Sequence, residues 1–176
     1  MSARRVICLL IGAWIGASAL VALSAVTSFR AVDLSMDRPS RLLTFEFDRH
    51  TTEGARGLFR YQAAEQNRLL FEAWGFVQVA LAAIVFMMFL FATRSGRVPI
   101  FVSVGLLFLV GVMHFLVTPQ ISAAGRALDF VAATEMAPER SRLQSLHRIY
   151  GVMESVKLLT LLGLAGWLTV RRKARG

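Results

Sequence analysis

Glu154 and Lys157 stand three residues apart in "GVMESVKLLTLLGLAGWLTVRRKARG" (residues 151–176), which puts an acid and an amine on one face of a helix. Only the thirteen residues 158–170 separate Lys157 from Arg171 without a charge, whereas a helix needs about twenty apolar residues to cross a bilayer. If this segment crosses, it carries the pair into hydrocarbon. There an ionisable side chain costs up to about 3 kcal/mol and normally turns toward the bundle interior and a partner. Two chemistries fit the pair. One is a relay for a proton, an ion or a substrate; the other, which is expected here, is a pair held by mutual charge with the Lys157 stem reaching outward to water.

Further polar residues fall at the same height. At 1.5 Å per residue, Lys157 lies about 20 Å above Val170 and His114 about 20 Å above Ile100. His147 is seven residues before Glu154 and so returns to its face, but nearer the outer surface, and Glu72, with Arg68 and Asn67, opens another apolar run at the outer interface. The expected site is therefore a polar cluster of Arg68, Glu72, His114, His147, Glu154 and Lys157 in the outer half of a membrane. Haem or a metal held by His114 and His147 is one version of it. The two histidines differ in depth, and no HExxH or other spaced ligand motif occurs, so no cofactor is expected. Each histidine by itself is expected to be a hydrogen-bonded packing residue. GxSxG, P-loop and GxGxxG patterns are also missing, which points away from an enzyme.

The elements that must position these residues are legible from hydropathy. The chain has 176 residues, 56% of them hydrophobic and 18% charged, against about a quarter charged in a soluble domain. Charge-free runs cover residues 6–29, 73–93, 98–125 and 158–170. The predicted spans are 6–27, 73–93, 99–118 and 150–170 of one transmembrane domain, residues 1–176. The single cysteine, Cys8, excludes an internal disulfide and a cysteine zinc site.

Charge placement sets the orientation. Residues 1–5, 94–97 and 171–176 hold eight of the twenty Lys and Arg and none of the eleven acids, whereas residues 30–72 carry seven of each sign. Unbalanced Lys and Arg stay on the cytoplasmic side, so four spans with both termini cytoplasmic in an inner membrane is the consistent topology. The +9 net charge reads as this topogenic signal, with attraction to anionic lipid, and not as a nucleic-acid face. The first run also has the parts of a signal peptide, but its length and its Gly12–Gly16 spacing favour a retained span.

Outside the bilayer, "GARGLFRYQAAEQNRLLFEAWGF" keeps Leu58, Phe59, Tyr61, Leu69 and Leu70 at helical spacing, and Glu65–Arg68 and Arg68–Glu72 are helix-supporting pairs. One helix is predicted from about Thr52 to Thr93, and another from Pro138 through the last span. The expected fold is all-α: an integral membrane four-helix bundle whose second and fourth helices extend outside. A helical cap over 30–72 and 119–149 follows, with Leu143 and Leu146 against Leu58 and Phe59. "DLSMDRPSRLLTFEFDRHTTEG" is read as the irregular piece, with weak strand character at 42–47. Trp74, Tyr150 and Trp167 suit interfacial belts.

The stretches "GAWIGASALVALSAVTSFRAVD", "RYQAAEQNRLLFEAWGFVQ", "TPQISAAGRALDF" and "LHRIYGVMESVKLL" resemble an uncharacterised family of four-span bacterial membrane proteins. In span number and in the Leu146-His147 element, the chain is more remotely similar to the transmembrane protein 205-like family. The resemblance implies a small helical membrane protein without an assigned activity. The positions it marks are Arg30, Asp33, Glu65, Asn67, Arg68, Glu72, Trp74, Pro119, Arg126, Asp129, His147, Glu154 and Lys157. The expected function is non-enzymatic: an accessory or scaffold subunit or a small carrier, with lipid and a homo-oligomer or larger complex as partners. A membrane redox or proton-handling protein and a small-solute transporter are the alternatives.

Overall fold

The computed structural model describes residues 3–37, 52–93, 96–131 and 136–173. Residues 42–47, read above as weakly strand-like, lie outside them, as do Arg94 and the last three residues. Among the described residues every regular element is helical. Helix α1 is Ala3–Asp37 and α2 is Thr52–Met87, which continues through a π-helical turn, Met88–Ala92. Helix α3 is Arg97–Val112, followed by a second π turn, Met113–Val117, and directly by α4, Thr118–Ala127. Helix α5 is Ala137–Lys173. Four helical runs, Ala3–Asp37, Gly54–Ala92, Arg97–Ala127 and Ala137–Val170, are long and apolar enough to cross a membrane.

Local chemistry explains the boundaries. Nothing breaks α1 before Pro39, so Asp33 to Asp37, expected in the irregular piece, are helical. Between α2 and α3 the chain turns through Gly96 at φ +85°, a conformation open to glycine at little cost. Pro119 has no N–H to give and crowds the preceding turn. The helix answers by widening just before it, where the Thr118 backbone N–H and hydroxyl both bond to the Met113 carbonyl, the hydroxyl at 2.9 Å.

The helices form an up-and-down ring. Along α1 and α2, contacts run from Trp14–Gln78 through Ser28–Asn67 to Asp33–Arg60, residue numbers rising on one helix as they fall on the other. Along α2 and the α3–α4 run they pass from Phe76–His114 to Arg68–Asp129, again antiparallel. Helix α5 packs on α1 and α3, leaving α2 and α5 on the diagonal, where long side chains still meet.

The buried faces follow a four-three repeat: Ile7, Ile11, Trp14 and Ser18 on α1; Pro99, Ser103, Leu106 and Val110 on α3; Lys157, Leu161, Leu164 and Leu168 on α5. This is the spacing of helices that cross at small angles with interlocking side chains. On α2 the stripe is Ala63, Asn67, Trp74, Gln78, Ala82 and Val85, continued by Phe89 in the π turn. Leu58, expected to pack, is therefore exposed, and so is Leu69. Phe59 lies in a groove with Ser28, Ala31 and Val32 of α1, so the outer part of α2 pairs with α1, where Leu143 and Leu146 had been expected. Trp74 belongs to the core and not to an interfacial belt, and Trp167 packs against that core.

Gly12 and Gly16 are both exposed, with open space where a Cβ would stand. Their spacing does not serve a contact inside the bundle. Replacing either by leucine should leave the thermal midpoint of the detergent-purified protein nearly unchanged, whereas Trp14→Ala, at a fully buried position, should cost about 3–5 kcal/mol.

Candidate functional site

Lys157 occupies the first position of the leucine stripe on α5, so the helix geometry that buries Leu161, Leu164 and Leu168 also buries its amine. The side chain is 0% exposed. Its Nζ donates to Glu154 Oε1 at 2.6 Å, to Ser18 Oγ of α1 at 3.1 Å, and to Gln78 Oε1 of α2. An ammonium has three N–H donors and each finds an acceptor. The Trp14 ring lies 5.8 Å from the same nitrogen, and the Trp14 indole N–H donates to Gln78 Oε1 at 3.4 Å. The Tyr150 hydroxyl also approaches Gln78. Lys157 thus points inward, against the outward reach expected of it.

Heights along the helices agree on where this layer sits. Counted at 1.5 Å per residue from Arg5 to Ser18, from Thr93 to Gln78 and from Arg171 to Lys157, the layer lies about 20 Å from the basic ends on all three helices.

The six residues named from the sequence divide among separate places. Glu154 and Lys157 meet, as their spacing requires. Arg68 belongs to a second cluster, in which its guanidinium grips Asp129 with two bonds, of 2.9 and 3.0 Å, and Glu65 at 2.6 Å. Arg126 joins from the end of α4, its Nε 3.2 Å from Glu65. Gly125 permits this: a Cβ there would stand 3.1 Å from the Arg68 guanidinium. The Arg126 and Arg68 hydrogen bonds hold the Glu65 carboxyl below its ordinary value. Arg68 and Asp129 side chains are 12% and 17% exposed, so this fork ties α4 to α2 more firmly than a surface pair would. The chain leaves it through Phe130, whose φ of 62° costs about 1–2 kcal/mol. Its ring then stacks on Tyr61 at 5.2 Å and covers Gly57.

Glu72 is exposed, on the outward side of α2, and Arg68 bonds to Asp129 and Glu65 instead of to it. His147 is exposed too, its Nδ1 3.0 Å from the Leu143 carbonyl of its own helix.

His114 is buried in the second π turn, its ring 4.3 Å from that of Phe76 and 4.6 Å from that of Phe115. It lies so close to Gly75 that a Cβ there would stand 2.2 Å from Nδ1. His114 is buried between aromatic rings whereas His147 is exposed and bonded to its own helix, an arrangement that does not suit one iron held between them. Among the described residues no group of three His, Cys, Asp or Glu gathers where a metal would need it.

Ser18, Trp14 and Gln78 complete the Lys157 layer, and sequence reasoning did not single them out. A signal existed for two of them: Ser18 and Gln78 are polar residues at core spacing inside apolar runs. Asp129 was marked only through the family resemblance, because nothing in the sequence shows that the end of α4 lies against α2.

Gly75→Ala should destabilise the detergent-purified protein by about 1–3 kcal/mol, since the methyl must displace a packed imidazole. Gly163→Ala, where a Cβ meets nothing, should be neutral or slightly stabilising in the same thermal unfolding measurement. No protein-family model, no curated protein and no solved structure matches this chain.

Proposed function

We propose that this is a non-enzymatic, multi-pass integral membrane protein, an accessory or scaffold subunit whose rigidity comes from a charged clasp inside its own bundle. The observation that carries the reading is the Lys157 ammonium. It joins α1, α2 and α5 in one layer, and each of its donors is used within the protein. A carrier that binds solute at such a layer needs free donors or acceptors there; this amine offers none.

The reading puts both termini on the cytoplasmic side of an inner membrane, and the charge bias of the basic segments supports it. Helices α1, α2 and α5 have 35, 36 and 37 residues, each about 50 Å or more of helix against about 30 Å of hydrocarbon. Their excess projects on the side opposite the basic ends. Support comes from the pairs Asp33–Arg60 at 2.9 Å and Asp37–Arg56 at 3.8 Å, exposed charges suited to water. The projecting α1–α2 pair, and α5 beside it, is the natural surface for a larger complex, and the outward Gly12 and Gly16 leave α1 open to a second helix within the membrane.

Lys157→Met leaves the Glu154 carboxylate without its cation and should cost about 3–5 kcal/mol in thermal unfolding of the detergent-purified protein. The double variant Lys157→Met, Glu154→Gln removes both charges and should recover most of that loss. A single variant as stable as the wild type, or a double no better than the single, is incompatible with a clasp.

A further inference from the structure

A groove of about 460 Å³ runs along the seam between the outer ends of α1 and α2. Ser24, Thr27 and Ser28 line it from α1, and Phe59, Gln62 and Gln66 from α2. Two positions set the direction in which it opens. Phe59 stands nine residues, about two and a half turns, from Arg68, which grips Asp129 beyond α4. Thr27 stands the same distance from Ser18, which accepts from Lys157 of α5. Half a turn is the opposite face of a helix, so the groove faces away from the bundle interior, toward the surrounding bilayer.

Its depth follows from the same helices. At 1.5 Å per residue Ser24 lies about 29 Å above Arg5, and Val32, at the other end of the groove, about 40 Å above it. Gln66 is level with Ser28, because the neighbouring Asn67 bonds to that serine at 2.9 Å. The hydrocarbon is about 30 Å thick and the bilayer with its headgroups about 40–45 Å. The groove therefore covers the headgroup layer on the side opposite the basic ends, with Ser24 at the hydrocarbon edge.

The lining has donors to spare. Thr27 and Ser28 donate their hydroxyls to carbonyls of their own helix, but Ser24, Gln62 and Gln66 have no hydrogen bond among the described residues. Gln62 and Gln66 are one turn apart on α2, and each amide offers two N–H donors. At the outer end stands the Phe59 ring, 37% exposed. No charged side chain lines the groove.

We propose that this groove binds one zwitterionic phospholipid: its phosphodiester accepts from the Gln62 and Gln66 amides, an ester carbonyl accepts from the Ser24 hydroxyl, and its ammonium lies against the Phe59 ring. The charge of the lining selects the headgroup. Neutral amides bond strongly to a phosphate but leave its charge in place, so the fitting headgroup carries its own cation, which the face of an aromatic ring attracts. An anionic headgroup finds no Lys or Arg in the lining.

The site rests on the reading of the chain as a membrane protein and not on the Lys157 clasp, and it is tested by lipid retention, whereas the clasp is tested by an unfolding temperature. The full chain in detergent is mixed with phosphatidylcholine or phosphatidylglycerol of identical acyl chains, and retained lipid is counted by native mass spectrometry. The wild type should hold one phosphatidylcholine in preference to phosphatidylglycerol. Gln62→Leu combined with Gln66→Leu should weaken that retention about tenfold, the loss expected when hydrogen bonds to a charged acceptor are removed. Phe59→Leu should weaken retention of phosphatidylcholine about threefold and leave that of phosphatidylglycerol unchanged, as the removal of a ring beneath an ammonium requires. Gln144→Leu, at an exposed position of α5 outside the groove, should change neither. Gln62 and Gln66 are themselves exposed, so the double variant should keep the thermal midpoint of the wild type; if it does not, Gln66→Ala takes its place and should show a smaller loss. A photo-reactive side chain in place of Gln62 should label lipid in native membranes. Absence of retained lipid, equal retention by the wild type and the folded groove variant, a preference for phosphatidylglycerol, or labelling of a second copy or another protein in place of lipid overturns the proposal.

Discussion

An ammonium ion cannot be left alone in hydrocarbon, and the Lys157 amine is fully buried in a bundle built to sit there. Its burial is forced by geometry: the face of α5 that buries Leu161, Leu164 and Leu168 reaches Lys157 one turn earlier. Either α5 rotates and exposes its leucines, or other helices bring acceptors to the amine. The structure takes the second course. Ser18 stands on the α1 stripe and Gln78 on the α2 stripe, so each reaches the centre at the height where the amine needs it.

This fixes more than one side chain. Apolar helices in lipid slide and rotate against one another with little change in energy, because lipid tails are as apolar as leucine. A layer in which one donor must meet three acceptors permits a single register. Moving α5 by one residue would take Lys157 off the core face and leave Ser18 and Gln78 facing leucine. The layer thus acts on this bundle as a polar core residue acts in a coiled coil, choosing one arrangement among several of similar packing energy. The Arg68–Asp129 fork does the corresponding work between α2 and α4, and Asn67, bonded to Ser28 and to the Ala25 carbonyl, does it between α2 and α1.

Much of this was legible in the sequence. Apolar runs and breakers located the long helices, and the continuous α2 and α5 followed from helical spacing that no breaker interrupts. The Glu154–Lys157 pair followed from three-residue spacing. What the sequence concealed was long-range. Leu58 and Leu69 repeat with helical spacing as Ala63 and Asn67 do, and hydropathy favours the leucines; only the position of α1, with Ser28 and Ala25 ready to bond, turns Asn67 inward. Glu72 looked as close to Arg68 as Glu65 does, yet the fold of α4 gives Arg68 a better partner in Asp129. Lys157 had two directions open to it, outward along its own stem or inward to acceptors on other helices, and hydropathy cannot see those acceptors.

The inward direction of that amine can be observed with little ambiguity, since Lys157 and Lys173 are the two lysines of the chain. Nitrogen-15 labelling of lysine alone in vesicle-reconstituted protein gives a Lys157 signal that can be assigned by its loss in Lys157→Met. The account predicts through-space contacts from the Lys157 nitrogen to the side-chain carbons of Gln78 and Glu154, with protons that exchange slowly with water. A Lys157 nitrogen without those contacts, exchanging as fast as a lysine in solution, would show an amine that reaches out to water and would contradict the clasp.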